Sequence, residues 1–104
     1  MEEINLGPKD NGRILDVSVG TAVVIKLPEN PSTGYTWQHV VGENIAEVME
    51  DVYIPPENQI PGRGGTRMLK FEVTGSGEFI MDYVQPWENQ PIDISQLLLE
   101  SDKD

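Results

Sequence analysis

Residues 66–74 read TRMLKFEVT, and their alternation decides the fold. Leu69, Phe71 and Val73 fall on one side of an extended chain, with Met68, Lys70 and Glu72 on the other. That period of two belongs to a strand with one buried face, not to a helix. The same habit recurs outward in both directions. Downstream, EFIMDYV (78–84) sets Phe79, Met81 and Tyr83 on one side, after a TGSGE stretch suited to a hairpin turn. Upstream lie RILDVSV (13–19), with Leu15, Val17 and Val19 on one face, then TAVVIKL (21–27), YTWQHVV (35–41) and AEVMEDVYI (46–54). Asn11-Gly12 suits a type I′ turn. The final PIDISQLLLESDKD (91–104) is compatible with a last strand or a short amphipathic helix, and its charged end with a frayed tail. Short β-branched and aromatic runs separated by Gly, Pro and Asn clusters predict an all-β sandwich of about seven or eight strands.

With 104 residues the chain has the size of one domain, so residues 1–104 are read as a single unit. It has no cysteine, which excludes disulfides, thiolate metal sites and thiol nucleophiles. Seven Lys+Arg against 18 Asp+Glu give a formal charge of -11. Such a surface repels phosphate backbones and anionic lipid, so neither nucleic acid nor membrane is expected as a partner. The start, MEEINLGPKD, lacks the basic and apolar regions of a signal peptide. That is compatible with a cytoplasmic protein or with a secreted one whose leader has been removed.

If consecutive strands of the seven run in opposite directions, the loops after the second, fourth and sixth emerge at one end. These are PENPSTG (28–34), PPENQIPGRGG (55–65) and QPWENQP (85–91), the least ordinary stretches of the chain. Rims of rigid sandwiches are where such folds place binding. Taken singly, each loop has a plain reading as well. In the first, Pro31 stiffens a turn and Gly34 permits a positive φ. Stiffness of that kind serves a strand connection, or a binding wedge that loses little entropy on docking. Gly62-Arg63-Gly64-Gly65 lacks the Gly-Lys-Ser/Thr ending of a phosphate loop; its glycines suit a flexible tip or a close backbone approach. Trp37, inside a strand, reads as core, whereas Trp87 follows Pro86 at a strand end, where tryptophans serve as interface anchors.

Catalysis has little support. His39 is the one histidine and sits mid-strand, and 18 acids make some carboxylate pair inevitable. KDNGRIL (9–15) fails as a calcium loop, since counting from its glycine puts Gly7 and Ser18 at the terminal ligand positions. No metal or cofactor is expected.

Together, NPSTGYTW, GRGG and QPW, in this order and spacing, resemble the chagasin family of inhibitors of papain-like cysteine proteases. The resemblance runs from NGRILDVSVG to YVQPWE and is weakest over the last 14 residues. It implies an immunoglobulin-like β-sandwich without enzymatic activity, a monomer whose partners are papain-like, cathepsin-like proteases. Carried over by position, the wedge entering the cleft is Asn30, Pro31, Ser32, Thr33, Gly34 and Tyr35. Gly62, Arg63, Gly64 and Gly65 flank it on one side, Gln85, Pro86 and Trp87 on the other. Two positions depart from the family pattern. Gln85 replaces the usual arginine, which removes a charge-assisted contact or loop-bracing bond, and Ser32 replaces threonine while keeping the hydroxyl. The competing reading is a cell-surface or carbohydrate-binding sandwich module with Trp87 as a stacking platform.

Overall fold

The computed structural model describes residues 2–42, 44–57 and 64–101. Its strands are β1 (Glu3–Leu6), β2 (Arg13–Val17), β3 (Ala22–Glu29), β4 (Thr36–Val41), β5 (Ala46–Ile54), β6 (Gly65–Val73), β7 (Gly77–Val84) and β8 (Asp93–Ser101), with 3-10 turns at Pro8–Asp10 and Pro31–Thr33. They form two four-stranded sheets, ordered β1-β3-β6-β5 and β2-β8-β7-β4.

The face assignments for the central strands hold. Leu69, Phe71 and Val73 are buried from β6, Phe79 and Met81 from β7. Phe71 and Phe79 stack across the two sheets, centroids 4.4 Å apart. Burying each such side chain contributes about 1.5–3 kcal/mol. Val23, Ile25 and Leu27 of β3 and Leu97 and Leu99 of β8 join them in one hydrophobic cluster, with Leu6, Leu15, Val17, Trp37 and Ala46. His39 is structural: its ring stacks on Phe79 at 4.4 Å and its Nε2 lies 2.9 Å from the Val41 carbonyl.

Three local expectations change, and one open alternative is resolved. Val19 does not share the face of Leu15 and Val17; β2 ends at Val17, and Val19 is exposed in the following turn. Asn11-Gly12 is not a type I′ hairpin turn. Asn11 has φ -59° and ψ 132° and Gly12 φ 83°, the pattern of a type II turn. It links strands of different sheets and is held down on β8, where the Gln96 amide donates to Asn11 Oδ1 at 2.7 Å. TGSGE is not a hairpin turn either, because β6 and β7 lie in opposite sheets. Of the two alternatives for the C-terminal segment the strand is the one formed, β8, paired antiparallel with β7 and parallel with β2; of the charged end expected to fray, residues 102–104 lie outside the described residues.

The short β1 is the strand the sequence pattern passed over. It pairs parallel with β3, from Glu3↔Ala22 to Leu6↔Ile25. Every pairing obeys alternation: the parallel pairs join strands two or six apart in order, the antiparallel pairs strands one or three apart. Adding β1 therefore renumbers the strands without moving the loops. The three unusual loops follow β3, β5 and β7 and leave at one end.

Candidate functional site

The β3–β4 loop closes on itself. Asn30 caps the turn, its Oδ1 accepting from the Ser32 amide at 3.2 Å and the Ser32 hydroxyl at 2.7 Å. Thr33 returns its hydroxyl to the Asn30 carbonyl at 2.7 Å, and the Gly34 amide donates to the Pro31 carbonyl at 3.0 Å. Gly34 ends the turn at φ 83°, a left-handed conformation that glycine adopts without strain. The hydroxyl that Ser32 keeps is thus part of the loop's own bracing. Proline, a polar cap and glycine together specify a short closed turn where an extended segment would need none of them.

Below the turn an aromatic column carries the loop. Tyr83 of β7 stacks with Trp37 at 4.9 Å and lies 5.4 Å from Tyr35 between centroids. Its hydroxyl accepts from the Asn30 amide at 3.2 Å. Trp37 is buried, and its indole N–H donates to the Pro28 carbonyl at 2.9 Å. Tyr35 and Trp37 thus tie the loop to the core through Tyr83, a residue of β7 that the sequence reading places only on an inward face.

The β7–β8 loop reaches the wedge from one side. Gln85 to Glu88 form a turn, the Glu88 amide donating to the Gln85 carbonyl at 3.0 Å, with Pro86 at its favoured second position. Trp87, at the corner, is 70% exposed. Its ring edge nevertheless lies against Gly34, where an added Cβ would stand 2.9 Å from Cη2. The loop-bracing bond expected to be missing with glutamine is present: Gln85 Nε2 donates to the Thr33 carbonyl at 2.9 Å. An amide carries two N–H donors and bridges this distance without a charge.

From the other side comes the end of the β5–β6 loop. Gly62 and Arg63 lie outside the described residues. Gly64 packs against the base of the wedge, where a Cβ would meet the Glu29 carbonyl at 2.9 Å and Asn30 Cβ at 3.0 Å. Of the two readings of these glycines, close approach applies to Gly64, and the neighbour is the protein's own wedge. Gly65 opens β6, paired with Glu29. Pro28, Glu29, Asn30, Gly64, Gly65 and Tyr83 line a shallow cleft beside the wedge.

The sequence reading missed Glu29 and Arg67. Glu29 is 2% exposed, and its carboxylate accepts from the Trp37 amide at 2.7 Å and pairs with Arg67 at 3.1 Å. The signal was available, since the period-2 register that buries Leu27 also points Glu29 inward, and a carboxylate at an inward position demands a partner. Among the described residues no group of three or more His, Asp or Glu side chains is placed to hold a metal ion.

Residues 16–98 match the family model described as "Chagasin family peptidase inhibitor I42". Chagasin of Trypanosoma cruzi is 38% identical over 84 residues, which span 74% of this chain and 76% of that protein. Among solved structures, the cysteine protease inhibitor EhICP2 from Entamoeba histolytica superposes with a TM-score of 0.81 at 21% identity, covering 97% of this chain and 96% of that one. PbICP-C, solved in complex with falcipain-2, gives a TM-score of 0.65 at 13% identity, covering 96% of this chain and 91% of that one. At such identities the two structures show a common fold.

Proposed function

The chain belongs to the chagasin family of peptidase inhibitors, and from that premise we propose that it inhibits papain-like cysteine proteases reversibly and without a covalent bond. Asn30 to Tyr35 form the wedge that enters the active-site cleft. Gly62 to Gly65 and Gln85 to Trp87 grip the cleft's two walls.

The observation that carries this reading is the convergence on one rim of the β3–β4 loop, the β7–β8 loop and Gly64, at the described end of the β5–β6 loop. Gln85 is bonded to Thr33, Trp87 leans on Gly34, and Gly64 packs on Asn30. Ordering a free loop costs about 1–2 kcal/mol per residue, so the β3–β4 turn, already closed and braced by Gln85, keeps that free energy for binding. The closed turn matters for survival as well as affinity. A protease attacks a peptide bond presented in an extended segment, in line with its nucleophile. Between Asn30 and Gly34 the backbone is instead locked in a turn by its own hydroxyls and amides, so the wedge fills the cleft and offers no bond for attack. A protein of this fold, PbICP-C, has been captured with falcipain-2. The interface should have the usual protease–inhibitor size, on the order of 1,600 Å² in total.

Titration into papain tests the proposal. Stoichiometric, competitive loss of activity, recovered on dilution, is the expected result. Retention on polysaccharide matrices together with unimpaired papain would replace the inhibitor reading with the carbohydrate-binding one.

A further inference from the structure

We propose that Glu29 is a positioning residue for the wedge: its buried carboxylate, oriented by Arg67, sets the width of the loop's base and so holds the tip in its binding shape. The inference builds on the inhibitory reading above and adds to it a residue that makes no contact with the protease.

Glu29 is the last residue of β3 in one sheet, and Trp37 the second residue of β4 in the other. Between them lie the wedge, Asn30 to Tyr35, and Thr36, the first residue of β4. The bond from the Trp37 amide to Glu29 Oε1, 2.7 Å long, therefore spans the gap between the sheets at the point where the chain crosses it. Two stems tied at their roots leave the closed turn above them little freedom to splay.

The carboxylate is itself gripped. Its side chain is 1% exposed, and Arg67 meets both oxygens, Nε at 3.2 Å from Oε1 and a terminal nitrogen at 3.1 Å from Oε2. A forked, two-point contact fixes orientation as well as charge. The remaining arm of Arg67 reaches Asp51 of β5 at 3.3 Å. Arg67 also lies two residues beyond Gly65, next to the Gly64 that packs on Asn30. The cluster thus sits at the root of two of the three rim loops.

Stability alone is a poor explanation for such a group. Buried ion pairs are often replaced by apolar side chains of similar size with no loss of stability. An apolar residue, however, could not accept the Trp37 N–H. A glutamine could accept it but would offer no second oxygen to Arg67. Geometry is what the ion pair uniquely supplies.

The test compares wild type with Glu29→Gln, Arg67→Met and the double variant, which leaves no charge buried without a partner. Dissociation from papain is followed by stopped-flow or surface methods, and amide exchange of residues 32–35 is measured in the free proteins. Glu29→Gln should dissociate about tenfold faster with association within about twofold of wild type. Its loop amides should exchange about tenfold faster while β8 amides are unchanged. In the double variant the melting temperature should return toward wild type relative to Arg67→Met, while dissociation stays fast. A purely structural role would lower the melting temperature and the active fraction but leave the kinetics of folded molecules untouched. The proposal is overturned if Glu29→Gln matches wild type in both dissociation and loop exchange, or if the double variant recovers both melting temperature and dissociation rate. Should wild type fail to inhibit any papain-like protease, the inhibitory reading falls, and loop exchange still decides whether Glu29 positions the turn.

Discussion

Trp87 rests the edge of its indole on Gly34, so near that a Cβ added to the glycine would lie 2.9 Å from Cη2 and 3.5 Å from Cζ2. Gly34 also holds φ at 83°. One residue thus needs to be glycine twice over, for its backbone and for its neighbour. Gly34→Ala should fold with a stability cost of about 1–2 kcal/mol from the left-handed strain, and it should push Trp87 off the wedge. Inhibition should weaken by a larger free energy than folding does. Denaturant unfolding and papain titration of the same preparation measure the two losses side by side.

The two tryptophans should separate folding from binding. Trp87 is 70% exposed, so Trp87→Ala should leave the melting temperature almost unchanged and cost roughly 2–4 kcal/mol of binding. Trp37 is buried and stacked on Tyr83; Trp37→Ala should cost about 3–5 kcal/mol of stability. A melting loss at Trp87 with unchanged inhibition would show the assignments reversed.

Gln85 tests the bracing of the wedge. Its bond to the Thr33 carbonyl is exposed and uncharged, a class of interaction with a net value of about 0.5–1.5 kcal/mol. Gln85→Ala should weaken inhibition by about that much, with stability unchanged. Gln85→Arg keeps N–H donors within reach of the carbonyl and should inhibit at least as well as wild type. Equal inhibition constants for wild type and the alanine variant would show the bond to be idle.

Non-covalent inhibition makes the catalytic thiol of the target dispensable. A papain variant with its catalytic cysteine changed to alanine should bind this protein about as tightly as active enzyme, and long incubation with active papain should leave the inhibitor uncut. Calorimetry and mass spectrometry would show the opposite if capture depended on a thioester or on cleavage between Asn30 and Tyr35.

Asp10 should lend the fold an acid-sensitive increment. The Gly7 amide, donating at 2.8 Å, and then the Arg13 guanidinium at 3.0 Å hold its carboxyl below the usual carboxylate range. Folding favours the ionised form, so the increment is complete above the unfolded value near pH 4. It is lost as pH falls through the lower native value. Asp10→Asn should lower the melting temperature at pH 7, and the difference from wild type should shrink as pH falls below the unfolded value and through the lower native one. A difference that persisted undiminished in acid would rule out titration of Asp10 as its source.

Much of this protein is written in short-range order. Alternation in TRMLKFEVT and EFIMDYV named the buried residues of β6 and β7 because a strand with one covered face leaves a period of two in the chain itself. Loop composition marked the wedge for the same reason: Pro31 and Gly34 act on their own dihedrals, and need no distant partner to do so. Parity then brought the three loops to one rim, since reversing direction at each strand is a property of order alone. What tertiary structure decided was pairing. Asn11-Gly12 and TGSGE have the composition of hairpin turns, yet each crosses between sheets, and which strand a segment joins depends on partners far away in sequence. The ends carried the weakest local signal. β1 is four residues long and gains its place by lying along β3, and β8 becomes a strand between β2 and β7, where an amphipathic helix would have satisfied the same residues. The bracing of the site was decided in the same way. Gln85 on Thr33, Tyr83 beneath Asn30, and Arg67 on Glu29 join residues 52, 53 and 38 positions apart. A hydrogen bond or ion pair across that separation exists only after the core has set the strands in register, so no local pattern can announce it.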